Sequence, residues 1–464
     1  MSLNDMRFIL TLFLAACLGL SSRAGVIVHP DSLCGKVKPL NAVNNGPIVA
    51  GVDQKRSNAQ TYKAACIPFA RTHDSNMCAN YGGPHTVDIS CIFPDFKADE
   101  RKPSSYDFTN TDLYLSQIRD AGTEVFFRLG QSIEHTKRKY GAYPPEDFRK
   151  WARICEHIIR HYNEGWADGF HWNIRYWEIW NEPDLDSEDY RLVNPRTWAG
   201  TDRQFYDLFE ISAKHLKKCF PDLKIGGPAS CGRLQWCKDF LTEMKARQVP
   251  LDFFSWHIYK NDPSLIVEKA RKFRALLDEA GYHEAESILN EWNYILNWTD
   301  RYVASVETIS NVKGASFTAA VMAALQTEPV DMAMYYDFRP SVFCGPFDFY
   351  TLRPRVPYYA FYAWSRLAGG KSAAIDIEGE KDIYAVASIK PDGGFAVLVV
   401  RYNDDSNVVE TKDVSLEIKG MDCSRASCYL TDASRRFTGM PVSCDAEGRI
   451  ILEMAPCSFA LIEF

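Results

Sequence analysis

Two short runs of strand-forming residues in this chain each end in a carboxylate. The first is Tyr176-Trp177-Glu178-Ile179-Trp180-Asn181-Glu182-Pro183, and the second is Ser287-Ile288-Leu289-Asn290-Glu291-Trp292. Glutamates at the carboxyl ends of two separate strands are what cleavage of a glycosidic bond requires: one acid to protonate a leaving oxygen and one carboxylate to meet the developing cation. Glu178 is set apart from this pair. Strand alternation places it inside the first run and aims it at a buried interior, where it needs a cationic partner such as Arg128 and is expected to be structural.

Such a pair works only if the fold brings both strand ends to one cleft. Apolar runs suited to buried parallel strands occur at residues 48–52, 65–71, 124–130, 175–180, 224–227, 252–259, 287–292 and 332–338. Helical patterns fall between them, at 111–121, 145–162, 202–219, 234–246, 264–280 and 303–325. Strands alternating with helices in this number fit an α/β fold of the (β/α)8 TIM-barrel type better than an open doubly wound sheet. No glycine-rich phosphate fingerprint follows the first run, which also argues against a dinucleotide fold. In a barrel of this kind the carboxyl ends of all strands face one mouth, so Glu182, after the fourth strand, and Glu291, at the seventh, are expected to open into the same cleft.

From residue 371 the pattern changes to short alternating strands separated by turn residues, at 383–389, 395–401, 414–418, 450–453 and 459–462, which reads as an accessory β-sandwich domain. The expected organisation is a leader at 1–24, an extended segment at 25–40 that joins the sandwich, a catalytic barrel at 41–370 and the sandwich at 371–464. No low-complexity linker separates the two parts, so they are expected to pack together. The leader has Arg7, an apolar stretch from 8 to 20 and small residues at a plausible cleavage point, a pattern for secretion or a periplasmic location. Leu14-Ala15-Ala16-Cys17 also has the form of a lipobox, so a lipoprotein anchored through Cys17 is the alternative. The stretch is too short for a transmembrane span.

A formal net charge of -7 excludes a general affinity for nucleic acid or an anionic membrane surface, and Lys137-Arg138-Lys139 reads as a solvated loop. Removing the leader leaves thirteen of the 14 cysteines, too thinly spread for a disulfide scaffold and without a zinc-type spacing. A bridge is expected only among Cys423, Cys428, Cys444 and Cys457, which crowd the last segment.

The barrel segment resembles glycoside hydrolase family 39 of the clan A retaining glycosidases, the group that contains β-xylosidases and α-L-iduronidases. The similar features are Trp177 to Pro183, with its Asn-Glu-Pro element, Ser255-Trp256-His257-Ile258-Tyr259, Glu291-Trp292-Asn293 and the closing Pro357-Tyr358-Tyr359-Ala360-Phe361. The resemblance implies a retaining glycosidase that needs no cofactor and no metal, with Glu182 as acid/base and Glu291 as nucleophile held about 5 Å away. Burial beside Trp180 and Pro183 is expected to raise the Glu182 pKa enough to keep it protonated. Asn181 would donate to a sugar hydroxyl beside the reacting carbon, Tyr259 would hydrogen-bond the nucleophile, and Arg71 would pair with Glu291 and keep it ionised. His73 and His257 would grip substrate hydroxyls.

One or two of Trp180, Trp256, Trp292 and Trp298 are expected to stack on sugar faces. Tyr336, with Asp337, Arg339, Phe343 and Phe347, is expected to build a further wall. The partner is a carbohydrate substrate, and self-association stays open because related barrels often associate. The sugar also stays open among xylose, arabinose, galactose, glucose and a uronic acid. Two readings from other classes remain at this level: a carbohydrate-binding protein on the same fold without turnover, and a metal-dependent hydrolase using His73, His135 and His257, no two of which have the spacing of metal ligands.

Overall fold

Strands buried on both faces read as near-continuous apolar runs, and this chain closes eight of them into a parallel barrel. In chain order they are Ala42–Asn44, Phe69–Arg71, Glu124–Leu129, Tyr176–Ile179, Lys224–Ser230, Phe253–Tyr259, Glu286–Asn293 and Met332–Tyr335, called here the first to eighth barrel strands. Each pairs with its neighbour in sequence, and the eighth closes on the first through Met334–Ala42 and Tyr335–Val43. The computed structural model describes residues 24–50, 56–73, 85–191, 193–379 and 381–464. The expected leader and Cys17 lie outside the described residues.

Outward-pointing residues such as Val43, Ala70, Phe127, Trp177 and Leu289 belong to the large core shared with the surrounding helices. Inward-pointing Ala42, Phe69, Phe126, Tyr176, Phe253, Ile288, Met332 and Met334 form a separate apolar cluster at the amino-terminal end of the barrel. The helices start where the sequence supplies a cap. The side chains of Asp147, Thr201, Asp262 and Asn311 accept backbone N–H groups at the starts of helices Phe148–Glu164, Asp202–Cys219, Pro263–Glu279 and Val312–Leu325.

Seven of the expected strands coincide with barrel strands, and the first does not. Within the run expected at 48–52, Val49–Ala50 instead pairs antiparallel with Arg56–Ser57 in a ribbon outside the barrel. The first barrel strand is Ala42–Asn44, whose three residues carry little local signal. Its place is set by long-range partners: Asn44 pairs with Arg71 in register, and its side-chain amide donates to the Asn290 carbonyl at 2.8 Å.

The remaining strands form one nine-stranded sheet that curls around its own apolar interior, where Val26 and Val28 meet Val397, Val399, Val414, Leu416 and Ile462. Ala24–Lys36 lies inside this sheet, antiparallel to Lys371–Glu378 and parallel to Lys412–Ile418. The helix Val312–Leu325 sits between barrel and sheet and is apolar on nearly all sides for that reason. At the seam the Ser316 hydroxyl donates to the Arg401 carbonyl at 2.7 Å, and Asp404 accepts from both Tyr294 and Asn261. Cys423 and Cys444 form a disulfide. Among the described residues no helix is long and apolar enough to cross a membrane.

Candidate active site

The polar upper layer of the barrel begins two residues beyond the apolar lower one. Asn44 follows Ala42, Arg71 follows Phe69, Glu178 follows Tyr176, Ser255 follows Phe253 and Asn290 follows Ile288, all of them buried. A two-residue step returns a strand side chain to the same face, so these groups point into the same interior.

Arg71 is the hub. Its Nε donates to Glu178 Oε2 at 2.6 Å, its Nη1 to Glu291 Oε1 at 2.7 Å and to Asn44 Oδ1 at 3.1 Å, and its Nη2 to Asn181 Oδ1 at 2.8 Å. Glu178 therefore has its cation in Arg71 and not, as expected, in Arg128, which pairs with Asp88 at 2.7 Å. The other Glu178 oxygen accepts from Ser255 at 2.6 Å and from Asn290 at 2.5 Å. A buried carboxylate satisfied on both oxygens holds its neighbours in place.

Glu182 stands on a backbone that few residues adopt. Trp180 and Glu182 are left-handed, with φ of 74° and 47°. Trp180 N donates to the Leu129 carbonyl, Glu182 N to the Ala229 carbonyl, and the Thr197 hydroxyl to the Glu182 carbonyl at 2.6 Å. The third strand comes so close that a Cβ on Gly130 would lie 2.9 Å from the Trp180 Cα, which is why glycine stands there. Glu291 is aimed by another irregularity. The seventh strand shifts register against the sixth between Leu289 and Glu291, so consecutive Asn290 and Glu291 both reach the interior network.

The two carboxylates meet through His257. Its Nδ1 lies 2.7 Å from Glu182 Oε1 and 3.5 Å from Glu291 Oε2, and ligating atoms of the three residues all fall within 4.8 Å of one another. Tyr259 donates to Glu291 Oε2 at 2.7 Å, and His73 Nε2 is 3.4 Å from Glu291 Oε1. Burial pushes the His257 pKa down to about 4 and that of His73 well below the usual imidazole range, so both rings are neutral at neutral pH. Burial also raises the Glu291 carboxyl, as does the adjacent Glu182, while His257, Arg71 and the Tyr259 hydroxyl act in the opposite direction. Asn181, its oxygen held by Arg71, has a buried Nδ2 with no partner among the described residues.

Above this constellation a cavity of about 1070 Å³ opens, lined by Glu182, Glu291, His73, His257, Tyr259 and Tyr336 together with loop residues beyond the strand ends. Of the four tryptophans only Trp298, which is 55% exposed, lines it. The sequence expectation of substrate contact for Trp180 and Trp292 is corrected. Trp180 is 1% exposed, packed against Trp151 and Trp198, with its indole N–H on the Thr197 carbonyl. Trp292 is fully buried and points away from the mouth, toward Phe317 and Tyr335. Trp256 likewise packs on Phe273. His257 is hydrogen-bonded to Glu182 through Nδ1 and also lines the cavity, its buried Nε2 without a partner among the described residues. Of the eighth-strand wall, Tyr336 and Phe343 line the cavity, whereas Phe347 is buried among Phe338 and Tyr358.

Sequence reasoning missed Asn44, Ser255 and Asn290. The signal that would have found them is a polar residue two positions beyond an inward apolar one. Two side-chain groups among the described residues have the donor types to hold a metal: Glu182, His257 and Glu291 in the site, and Glu156, His215 and Cys219 on the surface. Each already carries a guanidinium on one of its carboxylates, Arg71 in the first and Arg160 in the second, which opposes a dication.

A family model described as "Glycosyl hydrolases family 39" matches residues 83–341. A β-xylosidase of Geobacillus stearothermophilus is 24% identical over 373 residues, covering 70% of this chain and 68% of that protein. A β-xylosidase of Caldicellulosiruptor saccharolyticus is 22% identical over 360 residues, covering 69% of each. The crystal structure of a glucosidase from Croceicoccus marinus superposes with a TM-score of 0.75 at 22% identity, over 95% of this chain and 98% of that one, a likeness of fold.

Proposed function

Because the chain belongs to glycosyl hydrolase family 39 and is a glycosidase, we propose that it releases terminal sugars from plant-type polysaccharides or oligosaccharides with retention, in the manner of a β-xylosidase. The observation that carries this reading is the approach of Glu182 and Glu291, ligating oxygens within 4.8 Å, at the ends of the fourth and seventh barrel strands. That spacing supports direct attack at the anomeric carbon, as in a retaining enzyme, over attack through an intervening water.

In the first step Glu182 gives its proton to the glycosidic oxygen while a Glu291 oxygen bonds to the anomeric carbon and the bond to the leaving group breaks. Two carboxylates this close cannot both be charged at low cost, and Glu291 is the one that receives the Arg71 guanidinium and the Tyr259 hydroxyl. In the second step Glu182, now ionised, takes a proton from water. That water attacks the anomeric carbon and frees Glu291. The unpartnered Asn181 amide N–H is available to a sugar hydroxyl as the ring flattens. Xylose is favoured as the terminal sugar by the β-xylosidases to which the chain is similar. The Cys423–Cys444 disulfide supports export to an oxidising compartment, secreted or periplasmic.

Glu291→Ala is expected to abolish turnover of aryl glycosides. Glu182→Ala is expected to slow poor leaving groups most and to regain rate with azide. Full activity of either variant on a verified substrate rejects the assignment. A pH–rate profile flat from about 4 to 9 counts against an acid/base of this kind.

A further inference from the structure

Apart from Glu182 and Glu291, the cavity lining has a charge balance opposite to that of the whole chain. It carries Arg196, Lys260, Lys269 and Lys272 against a single non-catalytic acid, Glu268, in a protein whose formal net charge is -7. Two of the four cations are already engaged. Arg196 is bonded to the buried Asp186, and Lys272 pairs with Glu268 one helical turn away at the exposed surface. Among the described residues neither of the other two has a carboxylate within ion-pair distance: Lys260 is exposed just past the sixth strand, and the ammonium of the half-buried Lys269 has the Gly232 carbonyl, the face of Phe273 and the more distant attraction of Asp184. Burial depresses the Lys269 pKa, as expected of a charge removed from water without full compensation.

Lys269 lies on the side of the general acid, and Lys260 lines the same cavity from the end of the sixth strand, its backbone bonded to Asn293 of the seventh. The Glu182 backbone is tied to Ala229 at the end of the fifth strand, Cys231 and Gly232 follow at once, and Lys269 reaches Gly232 from the helix after the sixth strand. Glu291, with Arg71, His73 and Tyr259, is held from the second, sixth and seventh strands. The general acid must face the leaving oxygen, so the cavity on its side, with Lys269, is where the departing ring would lie.

We propose that Lys260 and Lys269 form a leaving-group subsite selective for an anionic sugar, a uronic acid or a sulfated residue, attached to the terminal sugar that the enzyme removes. This rests on the assignment of Glu182 as the acid, and the two claims fail separately. An anionic ring in this position would give the Lys269 ammonium a counter-charge at ion-pair distance, closer than Asp184.

Binding of free glucuronic acid, glucose 6-sulfate and glucose to the full chain, measured by calorimetry, tests the subsite without any hydrolysis. The anionic sugars are expected to bind about tenfold more tightly than glucose, an advantage that disappears in a Lys260→Gln/Lys269→Gln variant and shrinks in about 0.5 M salt. The stronger of the two anions identifies the substituent. Each protein is compared with itself across ligands, so a general loss of stability in the variant does not imitate the result. Equal binding of the three sugars by the wild type, or an advantage that survives the double substitution, overturns the proposal.

The second arm compares kcat/KM for β-xylosyl disaccharides ending in glucuronic acid, glucose 6-sulfate or glucose, with the same anionic preference expected. Hydrolysis of all three at one rate also overturns it. Hydrolysis of none, with the binding preference present, rejects the xylosidase reading and leaves the anionic subsite standing.

Discussion

The lower and upper layers of the barrel interior are made by the same strands two residues apart, yet they do opposite work. Below, Phe69, Phe126, Tyr176 and Phe253 fill the space with aromatic contacts, their ring centroids 5.2 to 5.7 Å apart. Above, Arg71, Glu178, Asn181 and Glu291 are joined by hydrogen bonds and ion pairs around one guanidinium. The lower layer gains from removing apolar area from water and requires little orientation. The upper layer gains little net stability from its charges, because desolvation offsets most of their attraction, but each group is held in one direction. A rigid apolar floor is what allows a polar ceiling to keep its geometry, as barrel enzymes in general place stability at one end and chemistry at the other.

Substitutions in the two layers should separate these roles. Glu291→Gln is expected to lower kcat by about 10⁴-fold or more with the melting temperature nearly unchanged, since Arg71 retains Glu178; a large loss of stability would show that Glu291 belongs to the supporting structure. Arg71→Met leaves Glu178 and Glu291 buried without a cation and should cost about 3–5 kcal/mol in denaturant titrations, together with activity. Phe253→Ala, on the floor, should cost a similar 3–5 kcal/mol or so while the folded fraction keeps its turnover rate. Equal loss of kcat in the floor variant would break the contrast.

Tyr259→Phe removes one hydrogen bond to a carboxylate and should reduce kcat/KM by about 10- to 100-fold with little change in stability.

The smallest effect is a pH slope. His257 has a folded-state pKa near 4, below the usual imidazole value, so the unfolded chain binds its proton first as the pH falls. The stability tied to its neutral form is complete above about pH 6.5 and is lost as the pH falls toward 4. Melting temperatures of wild type and His257→Asn, measured across that window, should show a shallower acid-side decline in the variant.

Most of the architecture was legible because it is written in local periodicity. Buried parallel strands are apolar runs of limited length, and seven of them could be located without knowing their partners. The exception, Ala42–Asn44, is too short to carry a pattern and is held by pairing with Arg71 and Asn290. The tryptophans show the same limit. Trp180 and Trp292 stand within two residues of the paired glutamates in sequence, but a left-handed turn sends one into the core and strand alternation sends the other. Adjacency along the chain says nothing of direction once the backbone leaves the regular strand.

The residue types thus determined, by themselves, that two carboxylates would end two strands of one barrel, and the family resemblance implied an arginine, a tyrosine and an asparagine beside them. Tertiary structure alone decided that Glu178 takes Arg71, that His257 bridges Glu182 and Glu291, and that lysines after the sixth strand line the cavity above them. Those outcomes depend on strand register, a bulge and a left-handed turn, which are settled by the simultaneous closure of eight strands and not by any stretch of sequence that a local pattern can describe.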